Sequence, residues 1–217
     1  MVFPAVAQQF TPYGEIKKKS QIFEPRPSFD TSPVTIRIVS VVYRIPRNYL
    51  SVLEPAIPTL KLSWPGLEPL TQENEKCFGS IAQSERAGCT SFSFLMLGSR
   101  GPGPGGLALT NSEMFENFRK HSPNATWQSG PFGYDIYRIG PEEARTEKYR
   151  KVDGDILFTC HFQGQESRKR GGVCDDMFRL EDMNHLQFYF RLHQIEHIAE
   201  IEARMRKIMA GFVTRGD

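Results

Sequence analysis

Ile156-Leu157-Phe158-Thr159-Cys160-His161-Phe162 is the stretch on which the fold turns. Apolar and polar side chains alternate through it, so it reads as a strand with one face toward a core. The chain then passes Gly164, Arg168-Lys169-Arg170 and Gly171-Gly172 and re-enters strand-like sequence around Cys174. A strand that turns through glycines and returns is a hairpin, and Cys160 and Cys174 bracket it. A second bracket, Cys77 and Cys89, encloses the polar, turn-rich stretch Phe78–Gly88. Neither spacing matches a zinc knuckle or a redox C-x-x-C motif. Four cysteines leave three pairings open; the two local ones, Cys77–Cys89 and Cys160–Cys174, are favoured because both loops are built to return on themselves. Each bridge then constrains the unfolded chain by about 2–3 kcal/mol and places the protein in an oxidising compartment. The alternative is four reduced, buried thiols in a cytosolic protein.

Working outward, Val34–Ile38 and Val41–Ile45 are β-branched and alternating, and Pro46 ends the run. Thr59–Trp64, Thr90–Leu97, Phe132–Ile139 and His185–Leu192 alternate in the same way. Thr110 or Asn111 caps a short helix to about His121, with Met114, Phe115 and Phe118 on one face. Pro141–Arg145 reads as a turn or brief helix, and Asp153-Gly154-Asp155 as a hairpin turn. Ile195, Ile198, Ile201, Met205, Ile208, Met209 and Phe212 form the apolar stripe of a C-terminal helix, with Gly211 as its stop. Residues 1–33, rich in proline, form an irregular arm; residues 34–217 form a single α+β domain. Its expected architecture is a mainly antiparallel β-sheet with a short middle helix and a C-terminal amphipathic helix.

Composition excludes several classes. A chain of 217 residues with net charge +2 lacks the concentrated basic field of a nucleic-acid binder. Lys17-Lys18-Lys19 and Arg168-Lys169-Arg170 are short and read as solvated loops. No integral membrane segment is expected, because no apolar run approaches the roughly 18 residues a spanning helix needs. Met1–Gln8 has no basic start and no long apolar run, so it is expected to be a mature terminus carrying an added Met1, without signal peptide or lipid anchor.

The sharpest catalytic pattern is His193-Gln194-Ile195-Glu196-His197, an H-x-x-E-H spacing in which His193 and His197 would hold zinc and Glu196 act as general base. Against it, a third ligand must come from elsewhere, and both histidines fall opposite the isoleucine stripe. There is no Gly-x-Ser-x-Gly elbow, and Gly98–Gly106 lacks the Gly-Lys-Ser/Thr of a phosphate loop. Glu142-Glu143 and Asp175-Asp176 read as exposed turn residues. Asn124-Ala125-Thr126 is a formal glycosylation sequon. The expected class is therefore a binding protein without catalytic residues or cofactor. Tyr43, Arg44, Arg47, Tyr49, Trp64, Trp127, Tyr134, Tyr137 and Arg138 are the types that dominate protein interfaces, although most are expected in the core or on edge strands. Arg47 and Tyr49, with the Arg168-Lys169-Arg170 loop, are the candidate partner contacts, the loop suiting an acidic partner.

Val42-Tyr43-Arg44-Ile45-Pro46-Arg47-Asn48-Tyr49-Leu50 and Trp64-Pro65-Gly66-Leu67-Glu68-Pro69-Leu70-Thr71, with the cysteine-bracketed hairpin and terminal helix, carry a resemblance. Over roughly residues 34–212 the chain resembles bacterial envelope proteins found beside type VI secretion lipase effectors, the periplasmic immunity proteins of those lipases. The resemblance implies a non-enzymatic periplasmic inhibitor whose partner is a cognate secreted phospholipase, blocked at its active site or in its activating motion. It assigns no contact residue. Other readings are the zinc hydrolase above and an envelope adaptor that binds another secreted component.

Overall fold

The structure, a computed structural model, describes residues 28–51, 57–79, 86–98, 111–141, 144–151, 153, 155–163, 172–180 and 184–214. Alternating side chains build one nine-stranded antiparallel sheet and a separate two-stranded hairpin. The strands are β1 Pro33–Ile38, β2 Val41–Pro46, β3 Leu50–Ser51, β4 Thr59–Trp64, β5 Thr90–Leu97, β6 Thr126–Ser129, β7 Tyr134–Ile139, β8 Ala144–Lys151, β9 Leu157–Gln163, β10 Val173–Arg179 and β11 His185–Phe190. Among the described residues two full α-helices accompany them, α1 Asn111–His121 and α2 Ile198–Phe212. Sheet order is β3-β4-β5-β11-β10-β9-β8-β7-β6, with β1 and β2 forming the separate hairpin. The mainly antiparallel α+β architecture read from the sequence is the one observed.

One face of the sheet carries the core. Phe92 and Phe94 on β5, Phe188 and Phe190 on β11, Phe158 on β9, Tyr149 on β8 and Tyr134 on β7 are all buried there. Their rings form a continuous row, with centroids 5.0 Å apart for Phe94–Phe188, 5.1 Å for Phe158–Phe190 and 4.8 Å for the stacked Tyr149–Phe158 pair. Each fully buried ring contributes about 1.5–3 kcal/mol of transfer free energy. Helix α2 belongs to the same core through Ile198, Ile201, Met205 and Met209, the stripe visible in the sequence. Tyr43 and Ile45 of β2 are fully buried in it too. Tyr43 accepts a hydrogen bond from Asn184 Nδ2 at 2.8 Å and bridges to Val213, while the Thr214 amide donates to the Val42 carbonyl.

Helix α1 covers part of the opposite face. Phe115 meets Tyr137 of β7 at 4.8 Å, and Arg150 and Lys148 of β8 lie over the Phe115 and Phe118 rings. The Asn111 side chain donates to the Asp155 carbonyl, holding the start of α1 to the turn before β9.

Both cystine bridges are the local ones, Cys77–Cys89 and Cys160–Cys174. Cys160 and Cys174 stand directly opposite each other on β9 and β10 and are fully buried. This bridge therefore lies inside the sheet, as part of its inner face. Cys77–Cys89 packs with Leu70 and Phe78 in a separate small cluster.

Several expectations are corrected. Of the turn or brief helix read at Pro141–Arg145, the Ala144 amide donates to the Pro141 carbonyl as in a turn, β8 runs eight residues from Ala144 to Lys151, and Glu142 and Glu143 lie outside the described residues. Asp175 and Asp176 lie within the central strand β10, where Asp176 is fully buried, rather than in an exposed turn. The stretch before Tyr134 is a one-turn 3-10 helix, Pro131–Gly133. Leu192–His197 is also 3-10, so α2 begins at Ile198, and Gly211 lies within its last turn. Strand β6 was not anticipated. Most of the proline-rich arm, the Gly98–Gly106 connector from residue 99 and Lys17-Lys18-Lys19 lie outside the described residues.

Replacing Cys160 and Cys174 together by alanine is expected to cost about 3 kcal/mol or more, since it opens the loop and leaves core cavities. Replacing Cys77 and Cys89 should cost less. Urea unfolding of both double variants measures the order, and equal losses would contradict the central placement of the Cys160–Cys174 bridge.

Candidate functional site

The two strings that carry the family resemblance prove to be joined to each other. Asn48 is buried, its side chain donates to the Leu70 carbonyl, and the Leu70 amide donates to the Asn48 carbonyl, both at 3.2 Å. Arg204 of α2 donates to the carbonyls of Pro65 and Gly66 and lies over the Trp64 ring. These segments therefore fasten the core to α2.

Arg47 and Tyr49 sit on the 3-10 turn Arg47–Tyr49 between them. The Tyr49 ring is half-buried against Phe212 at 5.0 Å, edge to face, and burial followed by the Glu68 charge raises its phenol above the ordinary value. Arg47 Nη1 donates to the Leu50 carbonyl. Both candidate contacts thus have intramolecular work. The Arg168-Lys169-Arg170 loop lies outside the described residues.

The H-x-x-E-H pattern falls on the 3-10 segment Leu192–His197. At three residues per turn, positions four apart point about 120° away from each other, so His193 and His197 do not share a face as they would in an α-helix. The His197 ring packs on Trp64 at 4.9 Å, and its Nε2 lies 3.3 Å from Glu196, while His193 is exposed. No cluster of metal-ligating side chains occurs among the described residues.

Two acidic residues lie in the sheet's inner face. Glu147 on β8, 1% exposed, is met by Arg138 Nε at 2.7 Å, Arg145 Nε at 2.8 Å and the Tyr149 hydroxyl at 2.5 Å. That is a satisfied, charge-assisted cluster. Asp176 on β10 faces Glu202 of α2, and Glu202 is ion-paired with Arg206 at 3.1 Å. No N–H or O–H group reaches either Asp176 oxygen among the described residues. A hydrogen bond between the two carboxyls requires a proton on one of them. Burial, then the Glu202 charge and hydrogen bond, raise Asp176 well above the ordinary carboxyl range. Burial raises Tyr134 as well, with the Asp176 and Glu202 charges adding to it.

Exposed aromatic groups gather elsewhere. Of the interface-type aromatics singled out in the sequence, Tyr43 and Tyr134 are buried, Tyr49, Trp64 and Tyr137 are half-buried, and Trp127 is 59% exposed. Trp127 lies on β6 directly opposite Tyr137, so it extends the Phe115–Tyr137 contact to the rim of the sheet. Phe132, 52% exposed, stands at the tip of the same hairpin with φ of 57°. A bulky side chain in the left-handed region is an uncommon, strained arrangement of the kind that clusters at binding sites. Lys151 donates to the Phe132 carbonyl and lies over the Tyr134 ring, and a Cβ at Gly130 would stand 2.5 Å from Ile136, so the turn has little room to relax. Phe132 was missed because it was counted as a strand residue; the Gly-Pro-Phe-Gly string was the available turn signal. Elsewhere, Tyr189 and Val173 are exposed on the outer face of the sheet. A depression of about 490 Å³ lined by Glu75, Lys76, Gly79, Arg86 and Ala87 brings together no catalytic pair. No described helix is long and apolar enough to cross a membrane.

No protein-family model and no curated relative matches the sequence. Among solved structures, an immunity protein of the Stenotrophomonas maltophilia type IV secretion system superposes with a TM-score of 0.58 over 85% of this chain and 94% of that chain, at 15% sequence identity. At that identity the likeness is one of fold.

Asp176 supplies a pH test. Its folded pKa is raised, so the folded state keeps a proton that the unfolded chain loses above about 3.8. Stability therefore falls as pH rises through the raised value. Asp176→Asn keeps a donor toward Glu202 without needing that proton, and is expected to gain about 1 kcal/mol near pH 8, or about 2–4 °C in Tm, with little change near pH 5. Thermal melts of both proteins at the two pH values decide it; a variant that melts lower at both would refute the protonated Asp176.

Proposed function

We propose that this chain is a secretion-system immunity protein that binds a cognate secreted effector and neutralises it by occlusion, without chemistry of its own. The observation that carries the reading is the fold shared with an immunity protein over 85% of the chain. The exposed Trp127 and Phe132 on one hairpin are what such a binding protein needs, since buried aromatic anchors dominate interface energies. Two cystine bridges with no free cysteine fit the periplasm, where disulfides persist.

The effector is proposed from the sequence resemblance to be a phospholipase delivered by a type VI system. The solved neighbour serves a type IV system, so the delivery route rests on that resemblance alone. A phospholipase effector encoded beside this chain is the first partner to test. Mixed in purified form, the two are expected to elute as one stoichiometric complex and to lose lipid hydrolysis in step with added immunity protein. Directed together to the periplasm, the pair should be harmless to cells that the effector alone kills. Separate elution with full lipase activity and undiminished killing would sink the assignment.

A further inference from the structure

We propose that β6 is the docking edge, and that it takes up an extended, acidic segment of the effector as a tenth strand of the sheet. This rests on the immunity reading and adds where and how the partner binds.

Among the described residues the sheet ends in β3 on one side and β6 on the other. β3 is two residues long, whereas β6 offers four, all of them exposed. Exposed edges are usually blunted by charges, proline or a bulge. Within Thr126-Trp127-Gln128-Ser129 there is no charged residue and no proline. The Gly130 amide donates to the Tyr134 carbonyl at 2.7 Å, which makes this a hydrogen-bonded pair of the β6–β7 ladder. Alternation along an antiparallel ladder then turns Gln128 and Thr126 toward β7, and the N–H and C=O groups of Trp127 and Ser129 outward. No hydrogen bond to these outward groups occurs among the described residues. Added strands are held by such main-chain groups and selected by flanking side chains. Here the flanking groups are the exposed rings of Trp127 and Phe132.

Charge indicates the occupant. β7 and β8 carry Arg138, Arg145, Lys148, Arg150 and Lys151 against Asp135 and Glu147, five positive and two negative, or +3. The residues joining the two strands add Glu142 and Glu143, so the segment 134–151 as a whole keeps a net +1 of the chain's +2. A second copy added across β6 would bring two such clusters together, whereas an acidic segment is drawn to them.

The probe is the phospholipase effector proposed above as the partner. Trp127→Ala removes the exposed anchor, and Ser129→Pro removes one outward N–H without touching the β6–β7 ladder. Each is expected to weaken the complex at least about tenfold while leaving the thermal midpoint of the free chain in place, and rising salt should slow association. Independently of any variant, the Trp127 and Ser129 amides should exchange hydrogen quickly in the free chain and slowly in the complex. A complex that forms with both variants at unchanged affinity, and leaves those amides exchanging freely, overturns the docking edge but not the immunity reading. No complex with the unaltered chain overturns both. A concentration-dependent dimer of the free chain that Ser129→Pro abolishes overturns the effector as occupant and assigns the edge to a second copy.

Discussion

A single helix laid on a nine-stranded sheet cannot cover it. Strands about 4.8 Å apart make a sheet nearly 40 Å wide, while a helix with its side chains is about 10–12 Å across. The chain manages this mismatch by setting α2 and the β1–β2 hairpin into the inner-face core and α1 against the outer side of β7 and β8. Beyond them the inner face changes character. Aromatic rings give way to Glu147 clamped by Arg138, Arg145 and Tyr149, and then to the exposed strand β6. Glu147 is itself buried, so its ion pairs belong to the margin of the core, and the exposed strand begins beyond them at β6.

The two buried acids show how differently the same side-chain chemistry is accommodated. Glu147 is met by two guanidinium groups and a phenol. Asp176 faces another carboxyl, Glu202, and burial with that neighbour raises it well above the ordinary carboxyl range. Arg206 completes the seam by pairing with Glu202, donating to the Arg179 carbonyl and stacking on Phe178. Most of the specific polar contact between helix and sheet is concentrated there.

What could be read from the sequence follows from how each strand is buried. Thr90–Leu97 and Leu157–Gln163 alternate apolar with polar residues, and pattern alone found them. The strand Ala144–Lys151 was hidden because its inward positions include Glu147, so its alternation is one of paired charges rather than hydrophobicity. Val173–Arg179 was legible as the return strand of the cysteine-bracketed hairpin, but the burial of Asp176 within it, facing Glu202 far along the chain, is invisible to local pattern. Strand β6 has no buried residue and so leaves no periodic trace. The candidate site shows the same division. Trp127 was legible as a residue type, its exposure was not, and Tyr49 was drawn inward by Phe212, a partner only the fold reveals.

The seam between β2 and the end of α2 bears on the timing of folding. Tyr43 bridges to Val213, Thr214 bonds to Val42, and Arg204 grips the turn at Pro65 and Gly66. An early hairpin is thus held by residues synthesised 141 positions later, at Asn184, and some 170 positions later, at Val213. Closure between such distant segments is slow, because loop entropy must be overcome before the contacts reward it. For a chain exported to the periplasm, as proposed, that ordering is useful. The partial chain stays loose enough to thread through a membrane channel, and the core is completed only when the helix arrives on the far side.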